Sequence, residues 1–136
     1  MFDDRSPDNP DFNVGIDCED IQRWRKMLPR LESGYRRKLF TEGEHRYCRS
    51  FNDPAPHYAV RWCAKEALLK AISPFYKLDL RVIEIDNDKD GRPFFVVNDP
   101  AMAGLNLTIR VSLAHSRETA TAVVMVAGFV RNCHEQ

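Results

Sequence analysis

Asp17 closes a short apolar run, Asn13-Val14-Gly15-Ile16-Asp17-Cys18, and Glu66 stands among apolar residues midway along the longest stretch with helical spacing. Two carboxylates with room for water and substrate oxygens suit Mg2+, which keeps several waters and is often held by substrate phosphates as well. Glu19 follows Asp17 by two residues. On an extended strand such residues share a face, so a third carboxylate can reach the same ion. Lys70 lies four residues past Glu66 and shares its helix face. That pair reads either as a helix-stabilising ion pair worth about 0.2–0.5 kcal/mol, or as a metal ligand beside an ammonium that meets a phosphate oxygen as a point charge. Lys65 falls on a neighbouring face, either solvated or turned to the phosphate. An Asp at a strand end is also a common turn or cap residue, so type and spacing leave both readings open.

Two further places carry candidate chemistry. His115 follows an apolar run and precedes Ser116, where it reads as a turn residue, a satisfied core histidine or a ligand-facing group. Gly91-Arg92-Pro93 leaves a turn-rich segment, and on composition alone it is turn chemistry. The stretch from Arg23 to Lys38 holds Arg23, Arg25, Lys26, Arg30, Arg36, Arg37 and Lys38 against Glu32 only. Net charge is zero, so this is a local basic surface on a neutral protein. It is either a solvated face or the dock for an acidic partner.

These groups need elements to position them. Residues 13–18 read as a strand in which Gly15 permits close backbone approach. Asp20 can cap a helix carrying Ile21, Trp24, Leu28 and Leu31, which Pro29 stops or kinks. Thr41-Glu42-Gly43-Glu44 fits a capping box, with a helix to about Ser50. Asp53-Pro54 repeats the start signal. The longest helix then runs to about Ile72, with Val60, Ala64, Ala67, Leu68 and Ala71 as its apolar stripe. Residues 80–86 and 94–97 read as strands joined by the turn 87–91, and 107–113 and 120–130 as two more. The order predicts an α+β domain, a mostly antiparallel sheet packed with a long central helix.

A chain of 136 residues is one domain by length. Residues 1–12 are expected to be a flexible lead-in and 13–131 the folded domain. The lead-in is acidic, the wrong charge for a signal peptide. No apolar run approaches the roughly 20 residues of a membrane helix. The four cysteines, Cys18, Cys48, Cys63 and Cys133, form no C-x-x-C pair. Reduced thiols in a cytoplasm are the expectation, with Cys18 and Cys63 packed as small hydrophobes.

The ordered set Gly15-Ile16-Asp17, Trp62-Cys63-Ala64-Lys65-Glu66-Ala67-Leu68-Leu69-Lys70-Ala71, Asp90-Gly91-Arg92-Pro93 and Ser112-Leu113-Ala114-His115-Ser116, followed by Ala120-Thr121-Ala122-Val123-Val124, resembles the holo-acyl-carrier-protein synthases. These are small-type 4′-phosphopantetheinyl transferases. R-x-L-F-T-x-x-E-x-x-Y-C from Arg37 to Cys48 is similar as well, and the likeness spans residues 14–130.

The resemblance implies the 4′-phosphopantetheinyl transferase-like fold and the transfer of 4′-phosphopantetheine from coenzyme A to a serine of an apo acyl carrier protein, releasing 3′,5′-ADP. It gives Asp17 and Glu66 to Mg2+ and the coenzyme A pyrophosphate, and to Glu66, or a water it orients, the serine proton. Lys70 steadies phosphate charge, with Lys65 also on the coenzyme A side. Arg92, Pro93 and His115 bind the nucleotide end, and Arg23, with Arg30 in the same run, meets the acidic carrier protein. It also implies a homotrimer with coenzyme A between subunits.

The chain departs from the pattern in three places. Ile72-Ser73-Pro74-Phe75-Tyr76 stands where the family has a glycine-rich loop. Ala114 replaces a serine. Glu19 resembles the third metal carboxylate of the larger, two-lobed transferases. The first two departures support a second reading, a non-catalytic relative that binds coenzyme A or carrier protein without transfer. Nucleic-acid binding through the basic run with Trp24 and Tyr35 is weaker, since the net charge is zero and no reader motif is present.

Overall fold

β1 (Asp11–Asp20) runs into α1 (Ile21–Met27) because the Asp20 side chain accepts the Gln22 amide at 3.0 Å and caps the helix. A 3₁₀ turn over Leu28–Leu31 with Pro29 ends it, as proline's missing donor requires. After the short α2 (Gly34–Arg37) come α3 (Glu42–Arg49) and α4 (Ala55–Ile72). The hairpin β2 (Ile83–Asn87) and β3 (Pro93–Val97) follows, then β4 (Thr108–His115) and β5 (Thr119–Gly128). The computed structural model describes residues 11–128. Among them no helix is long and apolar enough to cross a membrane.

The expected α+β architecture is present as two antiparallel sheets. One has the order β1-β5-β4 and the other pairs β2 with β3. α4 lies across β1 and β5. The register sets Gly15, Asp17 and Glu19 opposite Val124, Ala122 and Ala120. Ala120, Ala122, Val124 and Val126 are buried under the helix. Side chains opposite each other in an antiparallel pair share a face, so Asp17 and Glu19 are aimed at α4. Gly15 allows the contact: a Cβ there would lie 2.0 Å from the Ala67 carbonyl oxygen.

The capping box forms as its sequence demands. Thr41 Oγ1 accepts the Glu44 amide at 3.2 Å and Glu44 Oε1 accepts the Thr41 amide at 2.8 Å. Glu44 does more than cap. Its Oε1 also accepts from Lys65 Nζ at 2.6 Å, and Oε2 accepts the Ile85 amide at 3.0 Å. One buried carboxylate thus ties α3, α4 and β2 together.

Several expectations are corrected. The strand begins at Asp11, so the last two residues of the expected lead-in belong to β1; residues 1–10 lie outside those described. β2 starts at Ile83 because Asp79 accepts the Arg81 amide and winds Leu80–Val82 into a 3₁₀ turn. The expected stripe of α4 is buried, but so are Arg61 and Lys65. Cys63 is buried as expected, whereas Cys18 is exposed on the outer face of β1. Cys133 and the expected ends of the last strand and of the domain, at residues 130 and 131, fall outside the described residues.

Candidate active site

Asp17, expected at a strand end, lies within β1, which pairs with β5 through Asp20, and Lys70 reaches back to it from the last turn of α4. Its Nζ donates to the Ile16 carbonyl at 2.9 Å and to Asp17 Oδ1 at 3.1 Å. Lys70 is about half exposed while Asp17 is 17% exposed, so the ammonium forms the rim and the carboxylate the floor. Asp17 Oδ2 is buried with no hydrogen-bond partner among the described residues. An orphaned buried acceptor is costly and asks for a partner from outside the chain.

Glu66 lies one turn before Lys70 and feels the same charges. Burial raises its carboxyl above the ordinary range, with the Asp17 and Glu19 charges adding and Lys70 opposing. Desolvation of this kind strengthens a carboxylate as a base. The thiol of Cys63 is pushed up, chiefly by burial and then by Asp17 and Glu19, and donates to the Ala120 carbonyl at 3.4 Å. It is therefore a protonated wall of the site.

Glu19 faces the same side, but Glu19 Oε2 accepts from Trp24 Nε1 at 3.2 Å. Among the described residues no three His, Cys, Asp or Glu side chains converge as a metal cluster. The expected three-carboxylate set is therefore not assembled. Lys65 needs a plainer correction, because its Nζ is spent inside the protein on Glu44 Oε1 and the Leu39 carbonyl at 2.9 Å, and its side chain is 1% exposed. It is neither solvated nor turned to a ligand. A partner at the third residue of α3, recruited through the fold, accounts for the difference.

Arg92, Pro93 and His115 lie on elements other than β1 and α4. Arg92 leaves the β2–β3 turn, where Asp88 Oδ1 accepts the amides of Asp90 and Arg92 and Gly91 takes φ 83°; Pro93 opens β3. His115 ends β4, exposed, in register with Ala120. Its row continues to Glu19 on β1. No hydrogen bond among the described residues joins Arg92, Pro93 or His115 to Asp17, Glu66 or Lys70. Arg23 and Arg30 line one groove with Lys26, Arg36 of α2 and the single acid Asp20.

Arg61 was not singled out by its spacing. It is buried in α4, donates Nη2 to Asn87 Oδ1 at 2.8 Å, and lies 3.9 Å over the Tyr47 ring. Its Nε is buried without a hydrogen-bond partner among the described residues. An arginine within an apolar helix run was the available signal. It ties α4 to the hairpin that carries Arg92.

Fold and site together define an α+β protein with an acid–lysine centre laid between one strand and one helix, a charge set suited to handling phosphate. The 4′-phosphopantetheinyl transferase superfamily model matches residues 13–124. A holo-[acyl-carrier-protein] synthase of Syntrophus aciditrophicus is 38% identical over 121 residues, covering 85% of this chain and 94% of the relative. One from Cytophaga hutchinsonii is 40% identical over 120 residues, covering 82% and 94%. Among solved structures, the acyl carrier protein synthase of Mycobacterium tuberculosis aligns at TM-score 0.66 with 35% identity, covering 85% of this chain and 96% of that one. The Bacillus anthracis synthase in complex with CoA (3′,5′-ADP) aligns at TM-score 0.68 with 26% identity over 85% and 96%. The chain belongs to the 4′-phosphopantetheinyl transferase superfamily, among the small holo-[acyl-carrier-protein] synthases.

Proposed function

We infer that this chain transfers 4′-phosphopantetheine from coenzyme A to a serine hydroxyl of an apo acyl carrier protein and releases 3′,5′-ADP. The carrying observation is the Asp17–Lys70 pair beside Glu66, set in a chain 38% identical to a holo-[acyl-carrier-protein] synthase across most of both lengths. The reaction forms a bond from the serine oxygen to the phosphorus of the pantetheine phosphate. It breaks the pyrophosphate bond, and the serine proton must go to a base.

Mg2+ fits the residues present. Asp17 Oδ2 is an orphaned, buried oxygen, and Mg2+ takes one or two carboxylates and completes its shell with water and substrate phosphate. Asp17 and Glu66 would hold it. Glu19 Oε2 instead accepts from Trp24 Nε1. When bound, the ion neutralises and aligns the pyrophosphate.

The chain's own groups do the rest. Glu66 accepts the serine proton directly or through an oriented water. Lys70, half exposed at the rim, can leave the Ile16 carbonyl for a phosphate oxygen and meet the charge of the transition state. Arg92, Pro93 and His115 serve the nucleotide end. Coenzyme A would lie between neighbouring subunits. Arg23 and Arg30, sharing a basic groove, are the dock for the acidic carrier, where charge complementarity speeds encounter and sets specificity.

A homotrimer has physical support. Phe12, Val14, Ile16, Val123 and Met125 form an exposed apolar patch on the sheet face turned away from α4. Contiguous apolar surface of this kind marks an interface, and a closed threefold ring is an ordinary way to cover it. Reduced Cys48 and Cys63 in the interior accord with a cytoplasmic protein.

The metal assignment is tested by titrating Mg2+ into chelated enzyme during turnover. Asp17→Asn should raise the Mg2+ concentration for half-maximal rate by roughly tenfold or more. An unchanged Mg2+ requirement would remove Asp17 from the site.

A further inference from the structure

α4 ends without the usual device. Helices often close with a glycine in the left-handed conformation, whose amide takes an orphan carbonyl. Here the residue after Ile72 is Ser73, in right-handed geometry, followed by Pro74, which has no amide hydrogen to give. The last carbonyls must therefore find other donors. The Ile72 carbonyl accepts the amides of Phe75 and Tyr76 at 2.8 and 3.0 Å. The carbonyls of Lys70 and Ala71 accept from a side chain on another element: Asn13 Nδ2, at 3.3 and 3.1 Å. Ser73 Oγ adds a bond to the Lys70 carbonyl at 3.1 Å.

Asn13 lies opposite Val126 on β5, so it shares the helix-facing side of β1 with Gly15 and Asp17. Gly15 removes the side chain that would hold the helix away. Asn13 supplies the donor that draws its final turn in. Lys70 belongs to that turn. Its backbone carbonyl is held by Asn13 while its ammonium, three residues further along the same strand, is held on the Ile16 carbonyl.

We propose that Asn13 is a positioning residue for the transfer reaction: by capping the end of α4 from β1 it fixes the Lys70 backbone and so the place of the Lys70 ammonium beside Asp17. This rests on the reading of Lys70 given above. Asn13 acts on the reaction through Lys70, whose carbonyl it holds. A displacement of about 1 Å in a catalytic group is enough to cost up to ~100-fold in rate.

The test is a double-mutant cycle on kcat with coenzyme A and apo carrier protein, using Asn13→Ala, Lys70→Ala and the pair. Asn13→Ala should lower kcat roughly tenfold. In the Lys70→Ala background the same change should have no further effect, because coupled groups are non-additive. A merely structural cap would subtract equally in both backgrounds. Asn13→Asp preserves size but turns an acceptor toward two carbonyls; it should lose at least as much, and it decides the matter if Asn13→Ala does not fold. A loss on Lys70→Ala with Asn13→Ala at the wild-type rate, or with purely additive losses, overturns the positioning role and leaves Lys70 standing. Wild-type kcat in Lys70→Ala overturns the reading of Lys70 and the Asn13 proposal with it.

Discussion

At the scale of single residues, the chemistry lies in how a few side chains are left partly satisfied. Asp17 gives one oxygen to Lys70, and the other has no partner among the described residues. Glu66 is desolvated beside it. Replacing Glu66 with Gln should lower kcat by roughly 100-fold or more, measured as carrier modified per unit time, since general-base catalysis contributes about that much. A second residue-level prediction concerns pH. His57 stacks on Phe51 with centroids 3.6 Å apart, and burial, then Arg61 and His115, hold its imidazole below the ordinary value. The unfolded chain therefore binds more protons between the folded value and the ordinary value of about 6.5. Stability from this residue is complete above that window and is lost as pH falls through it. Acidification from about pH 7 to about pH 5 should lower the wild-type Tm more than that of His57→Gln. Asp17, Glu66 and Lys70 could be picked out by type and spacing. The link between Asp17 and Lys70 could not, because 53 residues separate them and only the β1–α4 packing brings them together. Glu19 was singled out for metal, yet Trp24 holds it across a strand-to-helix junction that spacing does not resolve.

At the scale of elements, α4 is the part on which the rest is registered. Beside the Asn13 cap and the Arg61–Asn87 bond, two contacts help set its placement. Gly15→Ala would drive a Cβ into the Ala67 carbonyl and the Ala71 amide, both backbone. It should destabilise by about 2–3 kcal/mol in denaturant unfolding and displace Glu66 and Lys70 together. The Lys65–Glu44 pair is the second. Lys65→Met leaves a buried carboxylate unpaired and should cost about 3–5 kcal/mol, with Glu44→Gln in the same variant recovering part of it. The capping box, the Asp20 cap, the proline stop at Pro29 and the buried stripe of α4 were all legible, because each is a local rule written over a few residues. Lys65 was misplaced because helical spacing says which residues share a face, but not what another helix will bring against that face. Arg61 was missed for the same reason: its partners, Tyr47 and Asn87, come from α3 and β2.

At the scale of the molecule, one sheet face carries the site and the other is apolar and open. β5 shows the division residue by residue: Ala120, Ala122, Val124 and Val126 turn to α4, while Val123 and Met125 turn out beside Val14 and Ile16. Ile16→Glu should shift the sedimenting species from trimer to monomer and lower transfer activity, while far-UV circular dichroism remains that of the folded chain. A wild-type protein that sediments as a monomer at working concentration would remove the threefold arrangement. The α+β class and antiparallel pairing followed from the order of the elements. The split into two sheets did not, since nothing in the alternation of β2 and β3 says which neighbours they refuse.

The central claim is the transfer itself. Intact-protein mass spectrometry of an apo acyl carrier protein, incubated with this chain, coenzyme A and Mg2+, reads it directly. The carrier should gain the mass of one phosphopantetheinyl group, and the gain should vanish with chelator and with Glu66→Ala. An unmodified carrier across fatty-acid, polyketide and peptide-synthesis types, with the protein folded and Mg2+ present, would contradict the account and leave a relative that binds without transferring.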